Sequence, residues 1–303
     1  MPRTSEVVVG MEREIINDFG VSFNYTYRRM TDFNWFPYVG VTGSDYTQTG
    51  TFTGSTVPIG PYSVPYYSVS AAAATASASA RTFTGRDGYH QEFKGWEVAG
   101  TKRMSHNWMM RMGFSHSDHR EFFDTADGKA DPTSSVPSTS VLSLASPNIN
   151  GGTVLTPSGG SGKSNIYLAA PKYQYILTVA YNMKYGINAG FNYLFRQGYA
   201  MPFFQSRVAG TSDALSGTKT LLLVSDVNGY RLPNVHSGDA RLSKAIVIKG
   251  THPVNIHLDL DVFNLFNTAT QLGRGYDVRL TNFNKTLEIM NPRIFRLGAR
   301  IGF

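Results

Sequence analysis

Two short segments of this 303-residue sequence carry residue types that could bind phosphate or a cation. Residues 158–164 (SGGSGKS) offer backbone N–H groups and a lysine, but Pro157 stands where a phosphate-binding loop requires its first glycine. Residues 124–131 (DTADGKAD) offer carboxylates that Ca²⁺ accepts, but the spacing and terminal glutamate of an EF-hand are missing. We interpret both segments as solvated loops.

A third group of residues has the chemistry of metal ligands. His116 and His119 flank Asp118, but two imidazoles near the end of a strand do not define a site. The sequence also has no cysteine, which excludes a thiolate cluster and a disulfide scaffold. We predict no metal and no cofactor.

The motifs of the common enzyme classes are missing from the sequence. It contains no GxSxG elbow, no HExxH helix and no dinucleotide fingerprint after a strand. We therefore predict that the protein is not an enzyme. The 28 Lys and Arg residues exceed the 21 Asp and Glu residues, but they are scattered without a dense run, so no nucleic-acid partner is expected.

Charged residues that alternate with apolar residues form the more plausible functional surface. In Val254 to Val262, for example, apolar residues occupy every second position, and His257, Asp259 and Asp261 lie between them. Mutual charge pairing across strands is the simplest interpretation of such a face, and ligand contact is the alternative. The residues of this face are Arg28, Arg111, Asn192, Arg196, Arg241, His257, Asp259, Asp261, Arg296 and Arg300.

The same two-residue period predicts nine β-strands as the elements that position these side chains. Their connections alternate in length. Tight turns are predicted at 16–20, 104–107, 184–186 and 249–253, and long loops without regular structure at 31–87, 118–171, 199–235 and 267–290. In an up-and-down antiparallel sheet, this alternation puts all turns on one rim and all long loops on the other.

This pattern predicts an all-β fold, an antiparallel up-and-down transmembrane β-barrel, because outer-membrane barrels have short periplasmic turns and long external loops. The 13% aromatic content favours the same fold. A soluble β-sandwich shares the alternation of the strands and remains an alternative. In a barrel, the polar face lines the lumen, and its candidate residues are Arg196, Arg241, His257, Asp259, Asp261, Arg296 and Arg300.

Two C-terminal segments resemble a known family. The final strand resembles the closing strand and assembly signal of bacterial outer-membrane barrels, and residues 261–267 (DVFNLFN) resemble the penultimate strand of TonB-dependent transporters. Residues 231–235 (RLPNV), 95–97 (GWE) and 25–29 (YTYRR) resemble the Oar-like subgroup, whose members carry a carboxypeptidase-regulatory-like domain. The residues of the assembly signal are Phe295, Leu297, Ala299, Ile301 and Phe303.

The resemblance implies a 22-stranded barrel around an N-terminal plug that TonB coupling moves. Residues 1–303 correspond to a partial barrel domain of about nine C-terminal strands, without the plug, the TonB box or an export signal. We expect a C-terminal piece of a longer outer-membrane transporter of a Gram-negative-type bacterium. The implied partners are outer-membrane lipid, the barrel assembly machinery, an unidentified solute, and TonB only through the missing N-terminal region.

Two alternatives to a transporter remain open at this point. One is a non-transporting outer-membrane barrel with a structural or adhesive role. The other is a soluble secreted β-sandwich that acts as a binding module.

Overall fold

The computed structural model of the chain describes residues 2–302, apart from 36–37, 43–44, 86–88, 124–165, 168–170, 202, 213, 216–217, 225–228 and 251–253. The segments 124–131 and 158–164 and the terminal Phe303 lie outside the described residues. The strands in chain order are β1 (Arg3–Ile16), β2 (Phe19–Thr31), β3 (Asn34–Trp35), β4 (Tyr46–Thr56), β5 (Gly60–Val69), β6 (Thr84–Gly85), β7 (Tyr89–Ser105), β8 (Trp108–Phe123), β9 (Ile166–Tyr167), β10 (Tyr173–Met183), β11 (Ile187–Arg196), β12 (Phe204–Val208), β13 (Lys219–Leu222), β14 (Val235–Ile248), β15 (Val254–Phe263), β16 (Gln271–Arg274), β17 (Thr286–Ile289) and β18 (Ile294–Gly302). A short helix, α1 (Ala71–Ser77), follows β5.

Nine long strands form one antiparallel sheet in the order β1-β2-β7-β8-β10-β11-β14-β15-β18, and the short β9 pairs with β8. Each of the nine pairs with the next in the chain, so the arrangement is up-and-down and the predicted number of strands is confirmed. Within the described residues the end strands β1 and β18 do not pair with each other. The sheet is therefore a partial barrel that is not closed.

The strand register sorts the side chains onto two faces, because paired residues of neighbouring strands point to the same side. Arg241 pairs with Asp261, and Asp261 pairs with Arg296, so these three share what we call the polar face. Leu242, Leu260 and Leu297 are paired in the same way on the opposite, apolar face. Other members of the apolar face are Val7, Val9, Phe23, Tyr25, Val98, Phe114, Met112, Leu177, Val179, Phe191, Tyr193, Ile246, Leu258 and Ile301.

The four predicted tight turns connect strand ends on one rim of the sheet, and residues 251–253 of the fourth lie outside the described residues. They join β1 to β2, β7 to β8, β10 to β11, and β14 to β15. Asp18, Asn107 and Tyr185 have φ angles of 67°, 67° and 65°, the left-handed conformation that tight hairpin turns require. In the first turn, the Asp18 N–H donates to Glu14 Oε1 over 2.8 Å.

The connections on the other rim contain regular structure, so the expectation of structureless loops is wrong where they are described. β4 pairs with β5, β12 with β13, β16 with β17, and β3 with β6. Ser70 caps α1 by accepting a hydrogen bond from the Ala73 N–H over 3.2 Å. Within the described ranges, no helix has the length and apolar composition needed to cross a membrane.

Most buried apolar side chains lie in these connections and not in the sheet. Phe203 and Leu221 are fully buried, whereas Leu297 on the apolar face is 82% exposed. The buried residues form three neighbouring clusters that combine residues from connections far apart in sequence. We call the described residues of 32–85, 197–234 and 264–293 the loop cap. Hydrophobic burial therefore stabilises the loop cap more than it stabilises the sheet.

Candidate functional site: the polar face and the loop cap

The structure places all seven predicted lumen-lining residues on the polar face. Arg241, Asp261 and Arg296 form one row across β14, β15 and β18, and His257 pairs with Arg300 in a row nearer the turns. Asp259 lies between these rows, opposite Ser243 and Gly298. Gly298 leaves space beside this carboxylate, since an added Cβ there would lie 3.7 Å from Asp259 Cβ.

Ion pairs connect four of these residues. Arg241 Nη2 lies 2.9 Å from Asp259 Oδ2, and Arg241 Nε lies 3.6 Å from Asp261 Oδ1. On the other side of Asp261, Arg296 Nη2 lies 2.8 Å from Oδ2. The Asp261 side chain is 9% exposed, whereas the Arg241 and Arg296 side chains are 48% and 62% exposed. Because half-exposed pairs contribute little net energy, the network mainly orients two guanidinium groups that still face the solvent.

Arg196 is separate from this network. It ends β11 at the rim that carries the long connections, which we call the loop rim. There its guanidinium carbon lies 4.3 Å from the centre of the Tyr199 ring. The same guanidinium donates a hydrogen bond to the Tyr199 hydroxyl. The structure therefore brings six of the seven residues together on β14, β15 and β18, and places Arg196 beside the loop cap.

A second cluster on the polar face includes residues that the sequence analysis did not identify. The Arg28 guanidinium lies 5.6 Å from the centre of the Phe93 ring, and the His119 ring packs edge-on against Phe93 at 6.1 Å. His119 Nε2 lies 3.1 Å from Gln91 Oε1. A Cβ at Gly95 would lie 2.7 Å from the Phe93 ring, so this glycine makes room for the ring. The sequence feature that indicates this cluster is Phe93, an aromatic residue at a position of β7 that belongs to the polar face.

His116 and His119 point to opposite faces of β8, because three residues separate them along a strand. His116 stacks on Trp96 with 5.8 Å between the ring centres, on the apolar face. They therefore cannot ligate one metal ion. Among the described residues, no group of three or more His, Asp or Glu side chains is placed to hold a metal.

The assembly-signal residues lie on the apolar face of β18. Phe295, Leu297, Ala299 and Ile301 pair with Val262, Leu260, Leu258 and Ile256. Phe295, Leu297 and Ile301 are 63%, 82% and 62% exposed. They form an apolar ladder with β15 that nothing in the described part of the chain covers.

The FNLFN segment forms a corner where β15 enters the loop cap. Asn264 and Asn267 have φ angles of 49° and 53°, which asparagine tolerates better than most residues. The Asn264 amide donates to the carbonyls of Thr268 at 2.9 Å and Asn291 at 2.7 Å, and its backbone N–H donates to Asp239 at 2.9 Å. Asn267 Oδ1 accepts from the Arg293 N–H at 3.0 Å. The motif thus has a structural role, which is to join β14, β15 and the start of β18.

Polar contacts fasten the parts of the loop cap to each other. The buried Asp277 accepts from the Ser206 N–H at 3.1 Å and from the Ser206 hydroxyl. Tyr38 donates to the Leu215 carbonyl at 2.8 Å, and Tyr230 donates to the Ile59 carbonyl at 3.2 Å. Burial raises the pKa of the hydroxyl of Tyr276, whose ring centre lies 6.2 Å from that of Phe203. The loop cap is therefore a single packed unit on the loop rim.

The geometry defines a class of protein. A single-layer up-and-down sheet with one charged face, one apolar face that no described residue covers, and turns and long loops on opposite rims has the architecture of part of a transmembrane β-barrel wall. No protein-family model and no curated protein matches the sequence.

Solved structures match the fold. The outer membrane transporter YddB from Escherichia coli aligns with a TM-score of 0.50 and 10% identity over 98% of this chain and 32% of its own length. The FrpB iron transporter from Neisseria meningitidis aligns with a TM-score of 0.44 and 12% identity, over 98% of this chain and 31% of its own. The copper transporter OprC aligns with a TM-score of 0.42 and 12% identity, over 99% of this chain and 31% of its own. This chain thus spans about a third of the length of these transporters and has the fold of part of a transporter barrel.

Proposed function

We propose that the protein forms part of the barrel wall of a TonB-dependent transporter of the Oar-like group, which moves an unidentified solute across the outer membrane. The observation that carries this proposal is the uncovered apolar face opposite a charged face. Val9, Leu258 and Leu297 from β1, β15 and β18 are 60%, 45% and 82% exposed on the apolar face. Lipid is the environment in which such a continuous apolar surface is stable.

The same observation argues against a soluble β-sandwich. A sandwich buries one face of each sheet against the other at about 10 Å. No second sheet packs on the apolar face within the described residues, and the four additional strand pairs belong to the loop connections. Polar and charged side chains instead fill the opposite face, where water in a barrel lumen hydrates them.

In this barrel the turn rim faces the periplasm, and the loop cap lies outside the cell. The loop cap captures the solute, and the polar face lines the path below it. Arg196 lies beside Tyr199 of the loop cap, and the Arg241, Asp261 and Arg296 row lies further along the wall. Oriented guanidinium groups of this kind bind anionic or hydrogen-bonding groups of a solute or of a plug. This is binding and passage, not catalysis.

The open edges of the sheet determine what else the wall needs. Unpaired N–H and C=O groups on β1 and β18 would each cost several kcal/mol in lipid, so further strands complete the barrel. Among nine up-and-down strands, the first and last run in the same direction. Antiparallel closure therefore requires an odd number of additional strands. The apolar ladder of β18 is the segment that the barrel assembly machinery would recognise, and TonB coupling acts through a plug outside residues 1–303.

Membrane fractionation tests the insertion of the protein. We expect the protein in outer membranes, resistant to washing with urea and high salt, and shifted in gel mobility when heated in detergent. Release by salt or urea alone would contradict a barrel and favour a soluble module.

Uptake tests the transport. Strains with and without the gene, each with and without TonB, are compared for uptake of nutrients supplied one at a time at limiting concentration. We expect the gene to increase uptake of at least one nutrient only in the strains that have TonB. A protein that inserts but changes no uptake in either background would instead have a structural or adhesive role.

A further inference from the structure

We propose that the apolar side of β2, β7 and β8, just below the loop cap, binds the phosphate groups of an outer-leaflet glycolipid. This inference rests on the proposed function, because it requires the apolar face to be in contact with lipid. The site is a polar recess of about 260 Å³ lined by Glu92, Lys94, Asp118, Arg120 and Phe122.

The register stacks the side chains of these strands in rows that follow the layers of a membrane. Below a row at the loop rim that contains His90 and Phe122, one row contains Arg29, Glu92 and Arg120, and the next contains Tyr27, Lys94 and Asp118. An aromatic row of Tyr25, Trp96 and His116 follows, and below it lies an apolar row of Phe23, Val98 and Phe114. Aromatic residues concentrate where hydrocarbon meets the headgroups. The two charged rows therefore lie at the height of the outer headgroups.

The two rows together carry a net positive charge on the side that faces the lipid. Three cations accompany two carboxylates, an excess of one positive charge. The Arg29 and Lys94 side chains are 46% and 54% exposed, whereas the Glu92 side chain between them is only 17% exposed. The site therefore presents Arg29 and Lys94 on its surface and keeps the Glu92 carboxylate behind them, while Arg120 and Asp118 are about equally exposed, at 32% and 30%.

The carboxylates hold the cations in place. Lys94 Nζ lies 3.3 Å from Glu92 Oε2, and Tyr27 donates to Glu92 Oε1 at 3.0 Å. Arg29 Nη1 lies 3.9 Å from the same Glu92 oxygen, too far for a hydrogen bond, so Glu92 attracts this guanidinium without occupying its donors. Asp118 accepts from Arg120 Nε at 2.9 Å and 3.0 Å and so fixes the third cation. A phosphate can thus bridge cations from three strands.

Lysines at the turn rim show a different arrangement on the same face. Lys102 is 9% exposed, and its ammonium donates to the carbonyls of Arg103, Ser105 and Trp108 at 3.1 to 3.2 Å. Lys244 donates to the Tyr185 carbonyl in the neighbouring turn. These ammonium groups are directed into the protein backbone, whereas Lys94 stays exposed beside the recess. This contrast assigns the phosphate site to the loop rim only.

The test uses protein extracted in mild detergent from the outer membranes in which it is made. Native mass spectrometry measures its binding of three probes, which are bisphosphorylated lipid A, dephosphorylated lipid A and inorganic phosphate. The triple variant Arg29→Gln, Lys94→Gln, Arg120→Gln removes the three cations. The matched control Arg111→Gln, Arg241→Gln, Arg300→Gln removes three cations from the polar face. The single variant Lys94→Gln changes only the most exposed cation.

We expect the unaltered protein to bind phosphorylated lipid A at least about tenfold more tightly than the dephosphorylated form. The triple variant should lose about that factor, Lys94→Gln should lose part of it, and the polar-face control should lose nothing. Equal binding of both lipids by the unaltered protein would overturn the inference, and this comparison does not depend on how any variant folds. Displacement of the lipid by an equal concentration of inorganic phosphate would also overturn it, because the site would then recognise free phosphate.

Different results would overturn the proposed function and the phosphate site. A protein that leaves the membrane without detergent has no lipid-facing surface, which overturns both proposals. A protein that stays in the membrane but binds lipid A equally well with and without the three cations overturns only the phosphate site.

Discussion

Asp261 Oδ2 on β15 lies 2.9 Å from Nε and 2.8 Å from Nη2 of Arg296 on the neighbouring strand β18. This two-point contact connects the last two strands of the sheet on the polar face. Because Asp261 is nearly buried and also faces Arg241, it orients cations from both of its neighbouring strands.

Asp261→Asn should lower the stability of the β14, β15 and β18 part of the sheet. The amide keeps the shape but removes the charge that attracts two guanidinium groups, and we expect a loss of about 1 kcal/mol because both arginines are half exposed. Urea unfolding in detergent, followed by gel mobility, measures the change. Glu12→Gln, on the exposed edge strand β1, is the control, and an equal effect of the two substitutions would contradict the role of Asp261.

Asn264→Ala should destabilise the corner after β15 by about 2–4 kcal/mol, because it removes side-chain hydrogen bonds and places alanine in a left-handed conformation. Asn264→Gly should cost about 1 kcal/mol less, since glycine adopts that conformation without strain. Asn255→Ala changes an exposed asparagine of the same strand and should have almost no effect. Urea unfolding ranks the stabilities of the three variants. Identical losses for Ala and Gly at position 264 would show that the left-handed conformation does not contribute to the loss.

Phe203→Ala should loosen the loop cap and leave the sheet intact. The Phe203 ring is fully buried and lies 5.5 Å, 6.2 Å and 5.8 Å from the rings of Tyr230, Tyr276 and Phe283. Its removal costs about 3–5 kcal/mol of local stability. Protease added to intact cells should cut the loop cap of this variant faster, while the heat-dependent gel shift persists.

Leu287→Ala is the control for the loop cap, because the Leu287 side chain is 54% exposed. It should leave protease resistance unchanged. Loss of the gel shift in Phe203→Ala would show instead that the sheet depends on the loop cap.

Lys102→Met should cost about 1–3 kcal/mol although it makes the apolar face more apolar. The substitution leaves carbonyls of the β7–β8 turn without their ammonium donor and removes a cation that lies 4.4 Å from the Trp108 ring. Lys244→Met removes one contact to Tyr185 and should cost less than about 1 kcal/mol. Urea unfolding compares the two variants, and the reverse order of their stabilities would contradict this interpretation.

The sheet could be predicted from the sequence because its determinants are local. An alternation of period two fixes which face each residue of a strand occupies, so Arg241, Asp259 and Asp261 could be assigned to one face without coordinates. Lys244 interrupts that alternation, and the structure explains why, since its ammonium reaches the carbonyl of Tyr185 in the nearby turn.

The loop cap could not be predicted because its contacts are not local. Tyr38 bonds to Leu215, and Tyr230 bonds to Ile59, at separations that no periodic pattern encodes. Phe93 was missed for a related reason, since an aromatic residue on a polar face is explained only by Gly95 and by Arg28 on the adjacent strand.

In the proposed barrel, one face of the sheet meets lipid and the other meets water. The chain has no cysteine, so each introduced cysteine is a unique probe. In outer-membrane fragments open on both sides, Ser243→Cys and His257→Cys should react with a hydrophilic maleimide, whereas Leu242→Cys and Ile246→Cys should react only with a lipid-soluble reagent. Equal reaction of all four positions with the hydrophilic reagent, or the opposite alternation, would contradict the account.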